Sequence, residues 1–374
     1  ALTDADYNVA IGSSALTSDT LGSKSVAIGT GTLENQNFTT ATDSFNTALG
    51  FFAGRAVTTG ISNTLIGGLA GDALTDADYN VAVGTSALSA DTLGSRAIAI
   101  GAGALSRQNF TTATDNYNIG IGYDAGLNIT TGVQNTFVGG LAGDALTDAD
   151  FNTTLGYATL SADTLGSRST AIGTFALNEQ NFTTATDTYN TAIGYAAGGA
   201  ITTGQYNTLL GGIAGDALTD SDFNVAIGYG SMTTSVLGSK NVSVGANTLG
   251  NMNPATAVEM YNVAVGHNAG QTVTTGVQNT LIGGLSGDAI TTGSENVALG
   301  YNSLSAGVAS FYNTAIGKDA LASDTTGRHS VAIGRDALTT QNNTTSADMY
   351  NVAVGSSAGA AVTTGLQNTL IGGN

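Results

Sequence analysis

The sequence predicts an all-β fold, a parallel β-solenoid, on three observations. The five-residue pattern Asn-x-Ala-Ile-Gly recurs twenty-one times, from Asn8-Val9-Ala10-Ile11-Gly12 to Asn368-Thr369-Leu370-Ile371-Gly372. Successive copies are 17, 21, 17 and 17 residues apart, a superperiod of 72; the last block runs 17, 17, 21, 17, as if one rung were gained near Asn296–Tyr312. No stretch sustains helical apolar spacing and the period is too short for a helical pair, whereas each copy holds one short alternating strand closed by glycine.

Each element of the rung follows from this stacking. Backbone hydrogen bonds are made to the rungs above and below, so a copy cannot fold alone and the array folds as a whole. Twenty full rungs at roughly 4.8 Å each make a rod about 95 Å long. The fifth position is Gly in every copy, including Gly12, Gly29, Gly50 and Gly67, as expected where the chain turns tightly or passes close to a neighbouring rung. The first position is Asn in seventeen copies, among them Asn8, Asn46, Asn63 and Asn80, with Ser25, Ala97, Ser169 and Ser330 as the exceptions. Stacked amides at this position form a ladder along the solenoid.

Alternation then assigns the faces. The fourth position is always Ile, Leu or Val and the second Val, Ile or Thr, so these two share one face and are expected to fill the interior. The third position, opposite, is Ala in thirteen copies and Leu65, Phe137, Leu209, Leu281 or Leu370 in five others. A strand apolar on both faces is covered on both. The stripe through Ala10, Ala27, Leu65, Phe137, Leu209, Leu281 and Leu370 is therefore the expected interface of a homo-oligomer. Later in the rung come a small residue such as Ala15, Ala53 or Ala70, then Leu, Met or Gly, and many rungs close with Gly22- or Gly60-type glycines. The 21-residue rungs carry their extra residues in Glu34–Phe45, Arg107–Tyr117, Glu179–Tyr189, Asn251–Tyr261 and Gln341–Tyr350, which should bulge as loops on one side.

Composition bounds the partners. With 53 Gly, one Pro, no Cys and no Trp, there is no disulfide framework and no Cys-based zinc or redox site. A net charge of −18 with nine Lys and Arg argues against a nucleic-acid or anionic-membrane partner. No segment has the length of a membrane span and no export signal opens the chain. Residues 1–8 repeat residues 73–80, which suggests a segment of a longer fibrous protein, read as one repeat array over 1–374.

Strings such as Asn190-Thr-Ala-Ile-Gly-Tyr-Ala-Ala-Gly, Asn207-Thr-Leu-Leu-Gly and Ser330-Val-Ala-Ile-Gly resemble the head repeats of YadA-like trimeric autotransporter adhesins. They are more similar still to the 17-residue repeats of phage tail fibres. The resemblance covers essentially the whole chain. It implies a left-handed parallel β-roll, three chains side by side as a homotrimer, an extracellular location on a virion or cell surface, and attachment to a host glycan or receptor. Adhesin heads run at about 14 residues per rung, a departure from this chain, and the anchor and tip regions of either family are not found here.

Other features carry weaker signals. His267 and His329 lie on different rungs with no nucleophile constellation, and read as surface residues. Asp72, Asp76 and Asp78, with their equivalents Asp144, Asp148, Asp150 and Asp216, Asp220, Asp222, have the oxygen-rich composition of calcium ligands but not the spacing of calcium-binding β-rolls; solvated turns are the plainer reading. The aromatics before the Asn, from Tyr7 and Phe45 to Tyr350, read as packing at the rung corner rather than as a glycan-binding stripe. The triplets at Asn37, Asn109 and Asn181 match the glycosylation sequon. Thr does not recur at one fixed position as an ice-binding array would need. The expectation is a structural and adhesive shaft with no active site and no cofactor, most simply of a phage tail fibre or virion appendage; a bacterial adhesin or self-assembling filament is the alternative.

Overall fold

The computed structural model describes residues 2–343 and 345–373. It is all-β, without a helix among the described residues, and forms a parallel β-solenoid of about 21 turns. The chain falls into two compact units, residues 1–189 and 190–374. In the first, ten three-residue strands from Val9–Ile11 to Thr170–Ile172 pair in parallel with like positions opposite, Ala10 with Ala27 and Leu65 with Ala82. The second repeats the arrangement with eleven strands, Thr191–Ile193 to Thr369–Ile371.

Each turn has three left-handed corners, and most are not glycine. The residue before the Asn and the seventh and ninth positions all have positive φ, as at Tyr79 (+59°), Ser86 (+55°) and Leu88 (+54°). A left-handed L-residue costs roughly 1–2 kcal/mol, and hydrogen bonds to neighbouring turns offset it: the Ser86 N–H donates to Gly68 O and the Leu88 N–H to Ala104 O.

The two faces of the strand are the reverse of the sequence expectation. The third position points into the solenoid: Ala27, Leu65, Phe137, Leu209 and Leu281 are completely buried. Of the predicted stripe only Ala10 and Leu370, in the outermost strands, are uncovered or partly so. The second and fourth positions point outward, with Leu49 43%, Leu155 48%, Leu210 43% and Leu299 43% exposed. The reason is parity. The Asn at the first position is buried, and a side chain two residues on must share its face.

The interior explains the Leu and Phe exceptions. Half of the turns fill their core with Leu at the ninth position, such as Leu88 and Leu105, both fully buried. Two successive turns of each superperiod have Gly there instead, and the large third-position side chain occupies the space. A Cβ on Gly54 would lie 2.7 Å from Leu65 Cδ1, and one on Gly71 2.7 Å from Leu65 Cδ2. Phe137 is held the same way, 2.5 Å from hypothetical Cβ atoms on both Gly126 and Gly143.

The 21-residue turns bulge as expected. Residues 39–41 are exposed, while Phe38, Phe110 and Phe182 tuck under the loop at 5% exposure. The chain then returns as a short strand, Thr42–Asp43 pairing with Gly22–Ser23 and Thr186–Asp187 with Gly166–Ser167. In the last of these loops, residue 344 lies outside the described residues.

Candidate functional surface

The ladder is real, but it is mainly amide to backbone. Asn46 Oδ1 accepts the Asn63 N–H at 2.9 Å, and Asn63 Oδ1 accepts the Asn80 N–H at 3.0 Å. Each Nδ2 closes its own turn by donating to the carbonyl fourteen residues on: Asn8 to Gly22 O, Asn46 to Gly60 O, Asn63 to Ala77 O and Asn80 to Gly94 O, at 2.7–2.9 Å. Amide-to-amide contacts are longer, 3.3 Å from Asn63 Nδ2 to Asn46 Oδ1. Gly12, Gly29, Gly50 and Gly67 have φ of +133° to +139°, and a Cβ on any of them would fall 2.4–2.5 Å from the next turn's glycine carbonyl oxygen.

Ser or Ala replaces Asn only in 21-residue turns, where the sequence reading missed a buried polar network. Asp163, fully buried, accepts the Gly166 and Phe182 N–H groups through Oδ1 and Gln180 Nε2 through Oδ2 at 2.6 Å; Gln180 also donates to Ser169 Oγ. Asp19 with Gln36 and Ser25, Asp91 with Gln108, and Asp324 with Gln341 and Ser330 repeat it. The remaining 21-residue turn keeps Asn241 and has Ser235 and Met252 at the Asp and Gln positions, a version of the joint without the carboxylate or the Gln amide. The readable signal was this concerted exchange of three residues across turns.

The joints of Asp163 and Asp324 carry a pH dependence. Burial pushes the Asp163 and Asp324 carboxyls above the ordinary 3.8, against the hydrogen bonds from Gln180 and Gln341 and from backbone N–H groups that lower them. Burial also raises Asp72, Asp144, Asp216 and Asp288, each of which has an Oδ1 shielded from solvent without a hydrogen-bond donor. For a carboxyl raised in the folded state, the native chain holds more protons than the unfolded one just above 3.8, so stability falls as pH rises through that window. Acidification from neutrality towards the ordinary carboxylate pKa should raise the thermal midpoint, and Asp163→Asn should flatten part of that rise. A midpoint that drops over the same range would contradict it.

The structure does not bring the calcium candidates together. Asp76 Oδ1 accepts the Thr59 hydroxyl at 2.7 Å and Asp78 Oδ1 accepts the Ile61 N–H at 2.7 Å, while Asp72 Oδ1 is shielded without a donor. Among the described residues no three acidic or histidine side chains converge as a metal site would require. His267 is exposed, whereas His329 is half-buried, stacked between Tyr312 and Tyr350 with centroids 4.8 and 5.0 Å away.

The outward strand face recurs in every turn. Across all twenty-one copies its second and fourth positions carry no charged side chain. Aromatic residues line both sides of it in sequence. The aromatic residues before the Asn are about half exposed, Tyr79 48%, Tyr117 51% and Tyr350 50%, so they lie at the surface rather than buried inside the corner. Arg96 sits 4.9 Å from the Tyr79 ring and 5.9 Å from Tyr117 while binding Asp115 at 2.9 Å; Arg168 does the same between Phe151 and Tyr189, with Asp187. A second series, missed in the sequence reading, follows the fifth-position Gly: Phe51, Tyr123, Tyr157, Tyr195, Tyr229 and Tyr301, 52–64% exposed. No helix among the described residues is long and apolar enough to cross a membrane. No protein-family model matches the chain, and no curated protein is significantly similar to it.

Proposed function

We propose that the chain is the shaft of an extracellular attachment fibre, a phage tail fibre or similar virion appendage, in which three copies pack as a homotrimer through their outward strand faces. The observation that carries this reading is that face: uncharged at every turn, β-branched at the second position and Ile, Leu or Val at the fourth, on a chain whose net charge is −18. An uncharged sheet face that presents an Ile, Leu or Val in every turn is more than the scattered apolar residues a soluble monomer leaves wet, and its borders of Tyr and Phe have the composition of protein interfaces. The resemblance of the repeats to tail fibres and adhesin heads supports the same assembly with a left-handed coil. The role is mechanical: hydrogen-bonded turns stiffen the shaft, which spaces and presents a host glycan- or receptor-binding end.

Light scattering tests the assembly. The purified chain should have about three times the 37.0 kDa monomer mass, and replacing Ile100, Ile121 and Leu155 together by Lys should reduce it to monomer with the circular dichroism unchanged. A stable wild-type monomer would end the proposal.

A further inference from the structure

The surface column of aromatic and cationic residues breaks its own pattern where a Lys stands in place of Arg, at Lys240 and at Lys24, whose ammonium group is likewise drawn to the next turn, to Asp43 at 2.6 Å and over the Phe45 ring at 5.1 Å. In the turns of Arg96 and Arg168, a guanidinium covers the ring of the preceding turn, 4.9 Å from Tyr79 and 4.5 Å from Phe151. At the equivalent position in the second unit stands Lys240. Its ammonium group is drawn away, to Glu259 Oε1 at 2.5 Å, to the Tyr261 hydroxyl at 3.3 Å and over the Tyr261 ring at 5.4 Å. It makes no contact over Phe223, whose ring stacks on Tyr206 with centroids 4.7 Å apart and planes 2° from parallel. A cavity of about 320 Å³ opens there, lined by Phe223, Lys240, Asp220, Asp222, Ser239 and Glu259 among others.

The groups round this cavity are acceptors. Asp220 uses Oδ1 for the Thr203 hydroxyl at 2.9 Å and Asp222 uses Oδ1 for the Gln205 N–H at 2.8 Å, which leaves Oδ2 of each without a protein donor. Three carboxylates, Asp220, Asp222 and Glu259, line the cavity with the one ammonium group of Lys240, which pairs with Glu259. A flat ring beside free carboxylate oxygens suits a planar, cationic donor, and a guanidinium is planar, stacks on aromatic faces and donates several N–H bonds in one plane. The chain itself demonstrates the fit, because its sibling turns place a guanidinium at this point. We propose that the cleft beside Phe223 receives the guanidinium of an arginine side chain presented by a partner protein. This does not rest on the fibre assignment.

The test uses the intact protein and a fluorescein-labelled Gly/Ser peptide carrying one arginine, with its lysine counterpart, followed by fluorescence polarisation at physiological salt. The arginine peptide should bind about tenfold more tightly than the lysine peptide, the size of one cation–π contact with its hydrogen bonds. Lys240→Arg together with Lys24→Arg should abolish that preference, since the chain would then fill its own cleft and the equivalent one beside Tyr7. Arg96→Lys should create a further site with the same preference. All of these variants copy residues the chain already uses at equivalent positions, so folding is not in question. Equal binding of the two peptides, or a preference that survives the double Lys240→Arg, Lys24→Arg substitution, would overturn the proposal. Displacement of the peptide by an equal concentration of free arginine would overturn the assignment to a partner's side chain and indicate a small-molecule site.

Discussion

Phe137→Ala should destabilise the first unit by about 3–5 kcal/mol and leave the mass of the assembly unchanged. The ring is fully buried, and it fills the space two glycines leave, with the Cβ positions of Gly126 and Gly143 each 2.5 Å from ring atoms. Truncation leaves a cavity bordered by the glycine backbone of Gly126 and Gly143, which has no side chains to collapse into it, with Leu105 and Leu146 beside it. Phe137→Leu copies Leu65 and Leu209 at the same position and should cost about 1 kcal/mol. Urea unfolding of the three proteins, with light scattering on the folded samples, decides the matter. A mass that falls while the unfolding midpoint holds would return Phe137 to the outer face and to an interface role.

Gly67→Ala should be about as damaging, about 3–5 kcal/mol, while Gly68→Ala next to it should change stability by no more than about 0.5 kcal/mol. Gly67 has φ +136° and its Cβ would meet Gly84 O at 2.4 Å; a Cβ on Gly68 would meet nothing within 4 Å. The first substitution opposes both the dihedral and the inter-turn spacing, and backbone on the other side cannot yield. The second is made in open space. Comparable urea midpoints for the two variants would show that the fifth-position glycine is not what sets the approach of successive turns.

The division between what could and could not be read is clearest in the strand. Asn46, Asn63 and Asn80 were legible as a ladder, because one polar residue type at one register serves every turn alike. Once that ladder is placed inside, the third position must be inside too; the sequence reading instead assigned the bulkier Ile and Leu to the core, by size. A narrow interior prefers Ala, with one Leu or Phe where the ninth position is Gly, and that exchange between Leu65 and Leu88-type positions is visible only when turns are compared in register. The Asp163, Gln180 and Ser169 joint was equally hidden, since its members lie up to seventeen residues apart and mean nothing until the turns stack.

The sequence by itself determined the turn length, the parallel stacking, the glycine at each close approach, the asparagine ladder and the position of the longer loops, all of which are dictated by the period and by local backbone chemistry. Only the tertiary structure decided which face of the strand is dry, how core volume is shared between neighbouring turns, and which surface rings are covered by a cation. Those are properties of side chains meeting across turns, where volume, parity and reach are settled by the neighbour above and below rather than by the residues within one copy.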